Sequence, residues 1–311
     1  MKYVFSRCLL FLLLLCSGAA FAQKAPADSV YLFCYFKGNG DGLHLAYSQD
    51  GYQWEPLKND SVYVRPTAGR DKLMRDPCII RGGDGQFHMV WTVSWNEKGI
   101  GYASSPDLLH WSEQQYVPVM EHEAEARNTW APEITYDPAR KEYMIYWATT
   151  ITGRYPLTDT ASESKYNHRM YYVTTKDFKN YSKTKLLFDP GFNIIDATIV
   201  KEGKRWVMFL KNETRSPLEK NIRVAFATRL TGPYSKPSAP ITGNWVEGPT
   251  SVKIGNQWVV YFDKYREHAY GAITSTDLKS WTDISDKVSL PKGIRHGSIF
   301  KVTKEEFEKL K

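Results

Sequence analysis

Apolar and aromatic residues fall along this chain in short runs separated by turn signals, and one pattern recurs. The runs read VYLFCYF (residues 30–36), FHMVWT (87–92), EYMIYWAT (142–149), RWVMFL (205–210) and QWVVYF (257–262). They are rich in aromatic and β-branched residues, with turn pairs such as Asp84-Gly85, Glu202-Gly203 and Gly255-Asn256 nearby, which predicts strands. A second strand follows each run and leads into Ser/Thr-x-Asp-x-x-x-Trp. The copies are LAYSQDGYQW (45–54), YASSPDLLHW (102–111), YVTTKDFKNY (172–181) and AITSTDLKSW (272–281), with a degenerate AFATRLTGPY at 225–234.

Five copies at spacings of roughly 45–70 residues suit four-stranded blades with variable loops. The expected fold is all-β: a five-bladed β-propeller whose N-terminal blade is closed by a C-terminal strand. That strand is residues 297–302, set beside residues 30–36. The repeated Trp is expected between blades. Asp50, Asp107, Asp177 and Asp277 are expected to cap turns rather than to catalyse. Only the charged tail, residues 303–311, has helical periodicity; it reads as a short terminal helix or a solvated end.

With 311 residues, 42% hydrophobic and 24% charged, the chain is of ordinary globular composition, unlike disordered, collagenous or disulfide-scaffold proteins. Its net charge is +7, but the basic residues are scattered without a run of five, which argues against nucleic acid as a partner. Residues 1–22 have basic Lys2 and Arg7, a short apolar core and an Ala20-Phe21-Ala22 end. This predicts a secretory signal cleaved after Ala22, export to a periplasm or beyond, and one propeller domain over residues 23–311. No later apolar run is long enough to span a membrane. Cys34 and Cys78 remain in the mature chain, both in apolar strand-like segments, and read as free buried cysteines; pairing is the alternative.

Some carboxylates break the repeat. Asp76 lies in Arg75-Asp76-Pro77 before an apolar run, Asp196 sits among isoleucines at 194–199, and Glu247 lies in Trp245-Val246-Glu247-Gly248-Pro249. All three fall at the entry to a blade, where strands run nearest the axis, so they are expected to converge at one of its ends. Burying an unpaired carboxylate is costly. Glycosidic hydrolysis needs such equipment: a protonated acid for the leaving oxygen and an ionised base for water. A third negative charge nearby keeps the acid protonated.

The ordered set of Arg75-Asp76-Pro77, Trp130-Ala131-Pro132-Glu133, Ile195-Asp196 and Glu247-Gly248-Pro249, with Asp107-Leu108-Leu109-His110-Trp111, resembles glycoside hydrolase family 43 over nearly the whole mature chain. The resemblance implies a five-bladed propeller performing inverting hydrolysis of arabinose-, xylose- or galactose-containing glycans. It implies Asp76 as general base, Asp196 as pKa modulator and orienting residue, and Glu247 as general acid. Here a full strand-turn unit precedes the base-bearing blade, which makes Asp41 in Gly40-Asp41-Gly42 a rival base; its glycine neighbours fit an exposed turn better. Arg295-His296-Gly297 resembles a family segment whose His lies near the axis, in some members beside a central metal. No catalytic metal motif is present and no cofactor is expected to be required, while a structural calcium on the axis stays open.

Sugars present flat C–H faces and many hydroxyls, so Trp95, Trp130, Asn128, Arg295 and His296 are candidate substrate-binding residues. The polar segment 151–169 is too long for a hairpin turn and is expected to wall the cleft. The expected partner is an oligo- or polysaccharide. The expected activity is exo-release of an α-L-arabinofuranosyl or β-D-galactofuranosyl residue, with β-xylosidase or endo-arabinanase as alternatives. Readings outside catalysis are a glycan-binding propeller and a protein-interaction propeller; oligomeric state is not legible.

Overall fold

The computed structural model describes residues 29–161 and 164–311, so the expected signal segment lies outside the described residues. Blade one takes β1 (Ser29–Tyr35), β2 (His44–Ser48) and β3 (Glu55–Pro56). Blade two is β4 (Arg75–Arg81), β5 (Phe87–Thr92), β6 (Ile100–Ser105) and β7 (Gln115–Val117). Blade three is β8 (Trp130–Asp137), β9 (Glu142–Thr150), β10 (His168–Thr175) and β11 (Lys185–Phe188). Blade four is β12 (Ile194–Glu202), β13 (Arg205–Asn212) and β14 (Ile222–Ala227). Blade five is β15 (Glu247–Ile254), β16 (Gln257–Lys264), β17 (Ala269–Ser275) and β18 (Thr282–Asp283). The last strand, β19 (Ser298–Thr303), returns to blade one and pairs antiparallel with β1, Val30 opposite Val302 and Cys34 opposite Ser298.

The expected five-bladed propeller and its C-terminal clasp are therefore the observed fold. The inner strands β19, β4, β8, β12 and β15 touch in that order around the axis and close the ring. Each seam between blades holds its own apolar cluster, because a four-stranded sheet buries both faces only against neighbours. The repeated Trp residues serve these seams. Trp54 packs edge-on against Tyr261 of blade five at 6.0 Å, and Trp281 against Phe209 of blade four at 5.8 Å.

The repeated Asp side chains cap the turns that precede the outer strands. Asp277 Oδ1 accepts from the backbone N–H groups of Lys279 and Ser280, both at 2.8 Å, and Asp107 Oδ1 from those of Leu109 and His110 at 2.9 and 2.8 Å. Asp50 and Asp177 do the same. The tail forms a helix, α1 (Lys304–Leu310), opened by a reciprocal Thr303–Glu306 capping box. It is not a solvated end: Phe307 and Leu310 are buried, Phe307 beside Tyr47. Cys34 and Cys78 are both free and buried.

Antiparallel order places the β1–β2, β5–β6, β9–β10, β13–β14 and β16–β17 connections on the face where the inner strands begin. We call that face the mouth of the propeller.

Candidate active site

Four inner strands break register at the same place. The breaks fall between Arg75 and Cys78, Trp130 and Glu133, Ile195 and Thr198, and Glu247 and Thr250. One residue in each bulge has a positive φ: Asp76 at 52°, Ala131 at 46°, Asp196 at 51° and Gly248 at 57°. A bulge re-aims side chains that a regular strand would alternate, and strained non-glycine residues such as Asp76 and Asp196 persist where the surroundings over-determine them. The fifth inner strand enters through Arg295-His296-Gly297.

By strand register these equivalent positions fall into three levels. The rim carries Arg75, Trp130, Ile195, Glu247 and Arg295. The middle layer carries Asp76, Ala131, Asp196, Gly248 and His296. The floor carries Cys78, Glu133, Thr198, Thr250 and Ser298. Gly248 is required in the middle layer: a Cβ there would lie 2.5 Å from the His296 ring.

The buried imidazole of His296 joins the carboxylates. Its Nδ1 lies 3.4 Å from Asp76 Oδ1 and 4.0 Å from Asp196 Oδ1. Burial opposes its protonation, but Asp196, Asp76 and Glu133 prevail and raise its pKa to about 9. For Asp76, burial works upward, yet His296, Arg75 and a 3.0 Å hydrogen bond from the Thr92 hydroxyl hold its pKa below the usual carboxylate value. Asp196 accepts from the Gly248 N–H at 3.0 Å. Burial, with Glu247 and Asp76 adding to it, pushes Asp196 up to about 6 against His296 and Lys211.

Glu247 sits one layer higher, clamped by two cations. Lys211 Nζ lies 3.1 Å from its Oε2, and an Arg295 guanidinium nitrogen 3.2 Å from its Oε1. Burial favours protonation, but Lys211 and Arg295 outweigh it and hold Glu247 low. Burial thus favours the protonated form on Asp196, while the two cations favour the ionised form of Glu247. The expected role of Asp196 in raising Glu247 is thus opposed by Lys211, a cation on another blade.

Two contributors escaped the sequence reading. Lys211 is buried at the end of β13, its Nζ also 2.6 Å from Glu213. Its only local signal is a lysine closing an apolar run. Glu133, in Trp130-Ala131-Pro132-Glu133, is buried on the floor and accepts from the Tyr146 hydroxyl at 2.9 Å. Burial raises its pKa to about 7. Its signal was its position, equivalent to other blade entries.

The remaining candidates divide. Trp95, 39% exposed, and Trp130 meet edge to face at 5.6 Å on the mouth, with Arg75 over the Trp95 ring at 4.4 Å. Tyr166, from the segment expected to wall the cleft, packs on Trp130 at 4.5 Å. Arg295 reaches the rim but is tied to Asp263 at 2.7 Å as well as to Glu247. Asn128 is a correction. It is fully buried, and its amide is spent on the β9 backbone, donating to the Ala148 carbonyl and accepting from Thr150 N–H, so no sugar hydroxyl reaches it. The rival base Asp41 accepts from the Gly38 and Gly42 N–H groups, both at 2.9 Å, as a turn residue does. Among the described residues, no three His, Cys, Asp or Glu side chains are arranged to hold a metal ion. No helix among them is long and apolar enough to cross a membrane.

Comparison with known proteins fits this architecture. An α-L-arabinofuranosidase of Bifidobacterium longum is 23% identical over 274 residues, covering 74% of this chain and 26% of its own length. The chain thus spans about a quarter of that relative. Among solved structures, an α-L-arabinofuranosidase from Lactobacillus brevis matches with a TM-score of 0.53 at 18% identity, over 68% of this chain and 72% of the other. An exo-β-1,3-galactanase from Phanerochaete chrysosporium matches at 0.52 and 13%, over 68% and 49%. These structural likenesses share the fold. A family model described as "Probable glycosyl hydrolase domain" matches residues 28–308, nearly all of the described chain, and the protein belongs to this glycosyl hydrolase family, related to glycoside hydrolase family 43.

Proposed function

We propose that the protein is an exported, inverting exo-glycosidase that releases a furanose, α-L-arabinofuranosyl or β-D-galactofuranosyl, from a glycan. The observation that carries the reading is the convergence of Asp76, Asp196 and Glu247, from three blades, around one axial imidazole and its rim. Asp76, held ionised, takes a proton from the attacking water. Glu247, on the rim, delivers a proton to the glycosidic oxygen. The Asp196–Glu247 pair titrates as a unit. A glycosidic oxygen docked at Glu247 in place of a cation contact favours its protonated form. Inversion leaves room for water between base and acid, about 6.5–9.5 Å. The arabinofuranosyl choice draws on the name of the curated relative. Trp95 and Trp130 offer flat faces for the sugar.

The test is a panel of p-nitrophenyl glycosides: α-L-arabinofuranoside, β-D-galactofuranoside and β-D-xyloside, then polymeric arabinan. One furanoside should be turned over with inversion at the anomeric carbon, read by NMR. Glu247→Gln should lower turnover of a glycan with a poor leaving group by about 10²–10⁴-fold and spare an activated aryl glycoside. The resting ionisation of Glu247 favours a second reading, a non-catalytic glycan-binding propeller. Under that reading no substrate turns over, and Glu247→Gln leaves glycan affinity unchanged.

A further inference from the structure

Among the described residues, two arginines at the mouth have no carboxylate within ion-pair distance. Arg215 lies in the β13–β14 connection and Arg266 in the β16–β17 connection, and both are exposed. Their guanidinium groups gather on one indole: Arg266 lies 3.1 Å and Arg215 5.1 Å from the Trp245 ring centroid. The nearby carboxylates are committed elsewhere: Glu213 to Lys211 and Lys220, Glu219 to Arg223, and Glu267 to Lys264. Two like charges drawn to one ring, without an anion between them, make a site of strong positive potential.

Trp245 itself has φ 68°. A bulky residue in the left-handed region is a backbone outlier, and such outliers cluster at ligand clamps. The clamp is also joined to the candidate acid. From Glu247 the path runs 3.1 Å to Lys211 Nζ, 5.0 Å on to the Tyr265 ring, and 6.4 Å to the Trp245 ring. Because the acid protonates the leaving oxygen, the leaving sugar lies on its side of the cleft.

We infer that Arg215 and Arg266, gathered on Trp245, form a leaving-group-side subsite for an anionic sugar that carries a carboxylate or a sulfate ester. The inference rests on the glycosidase reading for its placement beside the acid. Arginine forks suit planar carboxylates and sulfate oxygens alike, and Trp245 supplies a face for the sugar ring.

The experiment compares three ligands that differ at C6: methyl α-D-galactoside, its uronic acid counterpart and its 6-sulfate. Binding to the full chain is measured by calorimetry or NMR titration at low salt. At least one anionic ligand should bind about tenfold or more tightly than the neutral one, and that preference should shrink as salt is raised. Which anion is preferred separates carboxylate from sulfate. In the Arg215→Gln/Arg266→Gln double variant, checked for an unchanged thermal midpoint, the preference should vanish. Equal affinity for all three ligands, or a preference that survives the double substitution, overturns the inference. Turnover of neutral aryl furanosides tests the glycosidase reading separately, so either can fail alone.

Discussion

Replacing Lys211 by Met probes the least expected feature of the site. The side chain keeps its length and loses its charge, 3.1 Å from Glu247 Oε2. At an effective dielectric constant near 20, that contact corresponds to a gross attraction of about 5 kcal/mol. Desolvation offsets part of it, and opposite charges at this range usually shift a carboxyl by about 1–3 pKa units. Arg295 still holds the other oxygen, so an upward shift of about 1–2 units is expected for the acid of the pair. The alkaline limb of kcat/KM against pH reports the group that must be protonated in the free enzyme. Raising that pKa moves the limb to higher pH, and on the falling limb the activity at a fixed pH rises about tenfold per unit relative to the plateau. Glu213 keeps Lys220 as a partner. Leaving Glu247 charged without Lys211 costs about 3–5 kcal/mol, so the variant should lose stability mainly at high pH, where Glu247 cannot relieve the strain by protonation. The assay is turnover of a furanosyl oligosaccharide with a poor leaving group from pH 4 to 9, with a thermal melt at each pH. An alkaline limb that stays in place, or moves down, in a folded variant refutes the assignment of Glu247 as the proton donor restrained by Lys211.

Other outcomes follow from the axial charges. His296→Asn removes the cation beside Asp76, so the pKa of the base rises and the acid limb of kcat/KM should move to higher pH by about one unit; an unmoved limb separates the imidazole from the base. The raised pKa of His296 also fixes a stability window. Its contribution is full below about pH 6.5 and is lost as pH rises towards 9, so native and His296→Asn proteins should converge in urea melts across that range. Glu133 has the opposite sign of charge and a pKa raised from 4.5 to about 7. A buried acid so shifted destabilises the fold as pH climbs through that interval, by about 3 kcal/mol in all. Glu133→Gln should therefore gain stability over the native chain at pH 8 and match it near pH 4, by denaturant titration.

Much of this was legible in the sequence because the signals are local. A six-residue aromatic run is a strand wherever it lies, and an Asp two and three residues before free N–H groups caps its turn without help from the rest of the chain. Asp196 stood out because a carboxylate among isoleucines violates the apolar pattern of its own strand. Asn128 misled for the converse reason: its amide answers to β9 carbonyl and N–H groups, and their alignment is a matter of register between strands. The ionisation of the site belongs to a third kind of information. Glu247 is governed by Lys211 and Arg295, 36 residues before it and 48 after it, on two other blades. The local segment Trp245-Val246-Glu247-Gly248-Pro249 is the same whether those cations are present or absent. A motif can therefore place a carboxylate at the axis, but only the closed ring decides which carboxylate holds the proton there.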